Sequence, residues 1–196
     1  CRYESAIIKR WSSHHHYRYS KQGIMASIFG HAIVGFTLSK VLSKKNSKIL
    51  LLLAVASTIL PDIDVLAFSF GIPYEAPFGH RGFAHSIVFA VLWATLLMFI
   101  FGSLNRKIWW IVIFLSTISH GILDAMTSGG KGVGFFIPFN NSRFFFPFRE
   151  IVVSPIGIEK FFSEWGIKVI LSELKYIVLP CFVILIVLFL IKKSKS

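Results

Sequence analysis

The sequence contains little negative charge and few charged residues of any kind. Of its 196 residues, 9 are Asp or Glu and 21 are Lys or Arg, so that 15% of the chain is charged while 55% is hydrophobic. A soluble domain normally has about a quarter of its residues charged. The composition therefore indicates a membrane protein instead of an ordinary soluble domain. It also argues against a nucleic-acid-binding protein, which would not need 21 Phe in long uncharged runs.

Cysteine is equally scarce, and the first residues lack the apolar core of a signal peptide. Cys1 and Cys181 are the two cysteines, which excludes a disulfide framework and a cysteine zinc knuckle. Residues 1–24 are polar and basic, and Met25 directly precedes the first apolar run. We expect the native protein to start at Met25 and residues 1–24 to be a tag, a gene-model extension or a linker, the alternative being a disordered basic tail. Residues 25–196 are expected to form one membrane-embedded domain.

Five apolar runs predict the fold. They lie near residues 26–42, 49–60, 85–102, 108–126 and 176–191. A membrane span needs roughly 20 apolar residues, and the second run reaches that length only if the chain continues it beyond Pro61. A region rich in Gly, Phe and Pro separates the last two runs and suits a loop in the interfacial aromatic belt. We therefore predict an all-α, polytopic membrane helix bundle with four to five transmembrane helices and a long outer loop.

Basic residues predict the orientation of this bundle. Cytoplasmic segments of membrane proteins are enriched in Lys and Arg. Basic residues collect in the first and third connections and in the C-terminal tail, namely Lys40, Lys44, Lys45, Lys48, Arg106, Lys107, Lys192, Lys193 and Lys195. The second connection carries only Arg81. We therefore expect a multi-pass membrane protein whose basic segments are cytoplasmic and contact anionic lipids.

The few histidines and acids of the apolar region collect at the opposite, outer ends of the runs. Ionisable side chains in or beside a bilayer are costly and usually functional, and imidazole with carboxylate is a common ligand set for divalent ions. His120 and Asp124 are four residues apart and share one helix face. An Asp beside Pro61 can instead serve as a helix cap. We predict a metal site formed by His31, Asp62, His80, His85, His120 and Asp124.

Four motifs together resemble the YdjM-like family of bacterial inner-membrane proteins. They are Leu60-Pro61-Asp62-Ile63-Asp64, the segment from Phe78 to Ser86, Ser119-His120 through Asp124, and the glycine-rich segment Gly129 to Gly134. Ala84 stands where the family's His-Arg-Gly-Phe-Thr-His motif has Thr, and this change removes no metal ligand. The resemblance covers about Met25 to the C terminus. It implies a membrane-bound metal-dependent hydrolase, and a contact with LexA is expected from this resemblance alone.

These patterns predict a metal-dependent hydrolase that acts on a lipid or lipid-linked phosphate ester at the non-cytoplasmic face, with membrane lipids and no nucleic acid as partners. Zinc is the expected ion, with Mn or Mg as alternatives. Asp64 is expected to accept a proton from the attacking water and Arg81 to act in catalysis. The candidate ligands outnumber the three of a typical catalytic zinc, so that either two ions bind or some residues orient the ligands from outside. A non-catalytic protein with a structural metal or polar cluster in a regulatory or interaction role, and a small transporter, are the competing functions.

Overall fold

The computed structural model describes residues 27–43, 47–102, 105–153 and 164–194, so that the expected tail at residues 1–24 lies outside the described residues. Within them the chain forms helices and no strand, which confirms the predicted all-α membrane fold. Five helices follow one another: α1 Ile28–Leu42, α2 Lys48–Ile59, α3 Ile87–Phe101, α4 Arg106–Ala125 and α5 Glu164–Ser194.

Three of the helical segments are long and apolar enough to cross a membrane. They are α4, α5, and α2 together with its continuation to Phe70, which has 23 residues. By contrast, α1 and α3 are apolar but have 15 residues each, which is below the roughly 20 that a perpendicular span needs. The last helix starts earlier than its apolar run predicted, because polar residues near Glu164 already adopt the helix.

Pro61 changes the geometry of the second membrane segment without ending it. The chain passes from α2 into a 3₁₀ helix over Leu60–Phe70, which ends at Gly71 with a φ of 72°. Proline has no N–H to donate and cannot continue an α-helix normally. A 3₁₀ helix has three residues per turn, so residues two apart point in different directions. Asp62 and Asp64 therefore face different neighbours.

The core of the bundle lies between α2, α3 and α4. It consists of six buried apolar side chains, Leu50, Ala54, Ala94, Leu97, Val112 and Ile113. Small residues allow close helix packing: a Cβ added at Gly35 of α1 would lie 2.8 Å from the carbonyl oxygen of Ala54 on α2. Many large apolar side chains elsewhere on the helices remain exposed, as expected for surfaces that contact lipid.

The loop from Met126 to Val153 folds back against one end of the bundle. Two isolated β-bridges hold it, one between Thr127 and Ile151 and one between Val133 and Phe144. The backbone N–H of Gly134 also donates to the carbonyl oxygen of Arg81. The loop thereby covers the turn that connects the 3₁₀ helix to α3.

Candidate metal centre

Histidines and acids from several separate elements meet at the end of the bundle that the loop covers. One ligand atom from each of Asp62, His85, His120 and Asp124 lies within 4.8 Å of the others, and these four residues form a candidate metal-binding group. Asp62 comes from the 3₁₀ helix, His85 from the short turn before α3, and the other two residues from α4. His85, His120 and Asp124 are buried, whereas the Asp62 side chain keeps 9% of its surface exposed.

The α2 backbone fixes the orientation of His120. Its Nδ1 lies 2.7 Å from the carbonyl oxygen of Thr58, to which it donates a hydrogen bond. In a 3₁₀ helix this carbonyl would accept from residue 61, but Pro61 has no N–H. The proline therefore leaves an acceptor for the imidazole. With its proton on Nδ1, His120 directs the Nε2 lone pair into the four-residue group.

Asp64 plays the corresponding part for His85. One oxygen of Asp64, Oδ2, lies 3.0 Å from Nδ1 of His85 and also accepts from the backbone N–H of Arg81. The other oxygen, Oδ1, lies 2.6 Å from Nδ1 of His80. A carboxylate behind a metal-binding imidazole keeps the ring proton on the nitrogen that faces the carboxylate. The other ring nitrogen is then a better metal ligand. Asp64 is thus placed behind His85 instead of inside the four-residue group.

The two imidazoles meet nitrogen to nitrogen, so that a proton or a metal ion must lie between them. Nε2 of His85 and Nε2 of His120 are 3.0 Å apart, and both Nδ1 atoms face acceptors. Two lone pairs at this distance repel unless a proton or a metal ion lies between them. Zinc–nitrogen bonds of about 2.0–2.1 Å with tetrahedral angles put two such nitrogens about 3.3 Å apart. The observed spacing therefore fits a shared ion.

The two carboxylates complete this ligand set. Asp62 Oδ1 lies 3.2 Å from Nε2 of His120, and Asp124 Oδ2 lies 3.4 Å from Nε2 of His85. Neither oxygen of Asp62 has a hydrogen-bond partner within the described part of the chain. Buried carboxylate oxygens without a donor are costly. Two imidazole nitrogens and two carboxylates match the chemistry of a divalent-ion site, so the residues present fit the ion that the sequence predicted.

Arg81 is completely buried beside this group and contacts Asp124. Its Nε lies 2.8 Å from Asp124 Oδ2, while its terminal nitrogens donate to the carbonyl oxygen of Gly129 and to Oγ1 of Thr127. Its backbone adopts a left-handed φ of 58°, which is uncommon for a residue other than glycine. The guanidinium therefore binds Asp124 to the start of the loop, and a catalytic role for Arg81 stays a prediction.

His31 and His80 lie next to the four-residue group but are not members of it. The ring of His31 stacks on that of His120 with centroids 4.0 Å apart, and its Nε2 is 3.8 Å from Asp124 Oδ1. His80 contacts the outer side of Asp64 and packs edge-on against the rings of Phe68, Tyr74 and His85. The predicted ligand set is thus brought to one place, with His80 on its outside.

The YdjM inner membrane protein family matches residues 25–195 of the chain. The protein belongs to this family. It is similar to the inner membrane protein YbcI of Escherichia coli (strain K12), with 39% identity over 165 residues, which is 80% of this chain and 92% of that protein. No solved structure matches the chain. The family resemblance seen in the sequence is confirmed, and the location is the inner membrane.

Residues that the sequence did not assign to the site support it from the loop side. Arg143 donates to the carbonyl oxygens of His80 and Tyr74 and lies over the Tyr74 ring. Burial lowers the pKa of Arg143, and burial raises the pKa of Tyr74. Arg143 was not among the predicted site residues, because an Arg between aromatic residues does not indicate that it will contact carbonyl oxygens distant in sequence. Thr58 and Thr127 were not predicted either, because the sequence does not indicate that they contact His120 and Arg81.

Proposed function

We propose that this protein is a metal-dependent hydrolase of the inner membrane that acts on a lipid or lipid-linked phosphate ester at the non-cytoplasmic face. The observation that carries the proposal is the meeting of His85 and His120 through their Nε2 atoms, 3.0 Å apart and flanked by two carboxylates. Zinc suits this mixture of nitrogen and oxygen ligands best, with Mn or Mg as alternatives.

The chain's own residues would hold and orient the reacting groups. A bound divalent ion would supply a water acidified to a pKa of about 7 and a Lewis acid for a phosphoryl oxygen. Asp64 fixes the ring of His85, and Arg81 fixes Asp124, so that the ligands are preorganised before substrate binds. Asp62 is the member of the group whose side chain keeps some exposure, and both of its carboxylate oxygens are buried with the other ligand atoms.

The orientation in the membrane follows from the two ends of the bundle. Successive helices alternate in direction, so that each has one end far from the candidate metal centre. Those far ends carry Lys40, Lys48 and Arg106. The positive-inside rule assigns such an end to the cytoplasm. We infer a multi-pass arrangement in which the metal centre and the loop from Met126 face the periplasm.

The surface around the centre suits a phosphate ester with an apolar tail. Phe139, Phe78 and Phe70 are 86%, 68% and 80% exposed, as interfacial aromatic residues often are. Arg149 adds positive charge on the same loop, as does Lys131, which is more than half exposed and pairs with Glu75. Cations beside an aromatic belt favour a lipid phosphate over a neutral soluble substrate.

A structural metal site in a non-catalytic membrane protein is the second candidate function. The observation that favours it is the burial of His85, His120 and Asp124, because structural metal sites are closed and catalytic ones keep an open position. Such a protein would bind the ion, lose stability when it is removed, and hydrolyse nothing.

Metal analysis combined with a hydrolysis assay tests the proposal and separates the two functions. The purified protein in detergent is compared with His120→Ala and with Ser119→Ala, a neighbouring α4 change that removes a hydroxyl donating to the Ser116 carbonyl. We expect bound zinc and phosphate release from a lipid phosphate monoester in mixed micelles for the wild type and Ser119→Ala, and loss of both for His120→Ala. Bound zinc without hydrolysis of any lipid ester would favour the structural function, and absence of a bound ion would contradict both.

A further inference from the structure

We infer that the centre holds two divalent ions instead of one, with Asp124 bridging them and His31 binding the second ion. This inference rests on the proposed metal site and deepens it. The first ion would use the four-residue group. The second would lie between His31 and Asp124, outside the four-residue group.

His31 carries a buried imidazole that is not part of the four-residue group. Its side chain is fully buried at the start of α1, and neither Nδ1 nor Nε2 has a hydrogen-bond partner among the described residues. A neutral imidazole has one donor and one acceptor nitrogen, and burying both without partners is unfavourable. A ligand role explains why an imidazole lies here.

The stacking of His31 on His120 decides between one ion and two. The ring centroids are 4.0 Å apart and the planes are inclined by 20°. A metal ion binds an imidazole nitrogen along its lone pair, which lies in the ring plane. Two nearly parallel planes do not converge, so one ion cannot lie in both. The two rings instead direct their nitrogens to separate positions about one stacking distance apart, close to the roughly 3.5–4 Å that separates the ions of two-metal enzymes.

Asp124 divides its two oxygens between these positions. Oδ1 is the oxygen that lies 3.8 Å from Nε2 of His31, whereas Oδ2 faces Nε2 of His85 at 3.4 Å and of His120 at 3.7 Å. One oxygen thus faces the nitrogen of His31 and the other faces the nitrogens of His85 and His120. This is the arrangement of a carboxylate that bridges two ions. Arg81 at Oδ2 holds the carboxylate in this orientation.

Asp62 supplies a further oxygen for the second position. Its Oδ1 points toward His120, and its Oδ2 has no hydrogen-bond partner within the residues that the structure describes. His31, Asp124 and Asp62 would then be the protein ligands of the second ion, which matches the three protein ligands of a catalytic site with an open position.

The experiment counts ions and measures whether they are close together. Bound metal is quantified in the wild type, in His31→Phe and in His31→Ala, each also with His14, His15 and His16 changed to Ala so that the basic tail contributes no ion. His31→Phe is the decisive variant, because it keeps a ring stacked on His120 and removes only the nitrogens. Manganese-loaded protein is examined by electron paramagnetic resonance, in which two ions a few ångströms apart give a spin-coupled signal.

We expect two ions in the wild type with a spin-coupled manganese signal, and one ion with an uncoupled signal in both His31 variants. Two ions retained in His31→Phe would show that His31 acts by packing and would overturn the inference. One ion in the wild type, or an uncoupled wild-type signal, would overturn it without any variant and would leave the proposed single-ion hydrolase standing. No bound ion in the wild type would overturn the proposed function as well.

Discussion

Replacement of Asp64 by Asn tests whether this carboxylate orients a ligand or binds the ion itself. Asp64 accepts from the backbone N–H of Arg81, and its two oxygens also face Nδ1 of His80 and Nδ1 of His85. In Asp64→Asn the amide oxygen can still accept from Arg81 and His85, while the NH₂ group faces His80. The negative charge of the carboxylate is lost, so that the proton on Nδ1 of His85 is held less strongly and Nε2 becomes a weaker ligand, while all four ligand side chains of the proposed ion remain.

Loss of such an outer partner typically lowers metal affinity by roughly 10- to 100-fold, which is about 1.4–2.7 kcal/mol of binding free energy. Competition for zinc with a chromogenic chelator measures this in the purified protein. Glu75→Gln is the matched control, because that carboxylate is 57% exposed and pairs with Lys131 at the surface. An affinity within twofold of the wild type would refute the orienting role. Complete loss of binding, as expected for His120→Ala, would mean that Asp64 is a direct ligand.

Three further predictions follow from the same contacts. Arg81→Met should destabilise the protein by about 3–5 kcal/mol, because it leaves the buried charge of Asp124 without its guanidinium partner. Unfolding in a mixed-detergent titration measures this, and a decrease in the free energy of unfolding below about 1 kcal/mol would contradict it. Zinc affinity should rise with pH between about pH 6 and 8. Burial lowers the pKa of His85, but the carboxylates of Asp64 and Asp124 together outweigh burial and raise that pKa to about 9. The ion must therefore displace a proton that His85 binds less as pH rises; a flat profile in the chelator assay would show that no proton is displaced. A reporter active only in the cytoplasm should be active when fused after Ser196 and inactive when inserted at Asn141, and the opposite pattern would reverse the proposed orientation.

The sequence by itself indicated where the helices lie and brought the predicted ligands to one end of the bundle. It also named His31 and His80 as ligands, which lie outside the four-residue group. Long apolar runs must form helices in a bilayer, because every backbone polar group has to be satisfied within the segment. Short connections make successive helices antiparallel, so that His31, Asp62, His85 and Asp124 reach the same end of the bundle. The four-residue spacing of His120 and Asp124 likewise places them on one helix face before any tertiary contact forms.

The tertiary structure alone decided what each of these residues contacts. Asp62 and Asp64 have the same chemistry and nearly the same position in the sequence. The 3₁₀ helix after Pro61 turns one toward the candidate metal group and the other behind His85, and no periodicity in an apolar run predicts that change of helix type. Arg81 was expected to act in catalysis, and only the structure shows that it is buried against Asp124. The Thr58 carbonyl and the ring of His31 both contact His120 but are distant from it in sequence. Only the packing of the helices brings them together.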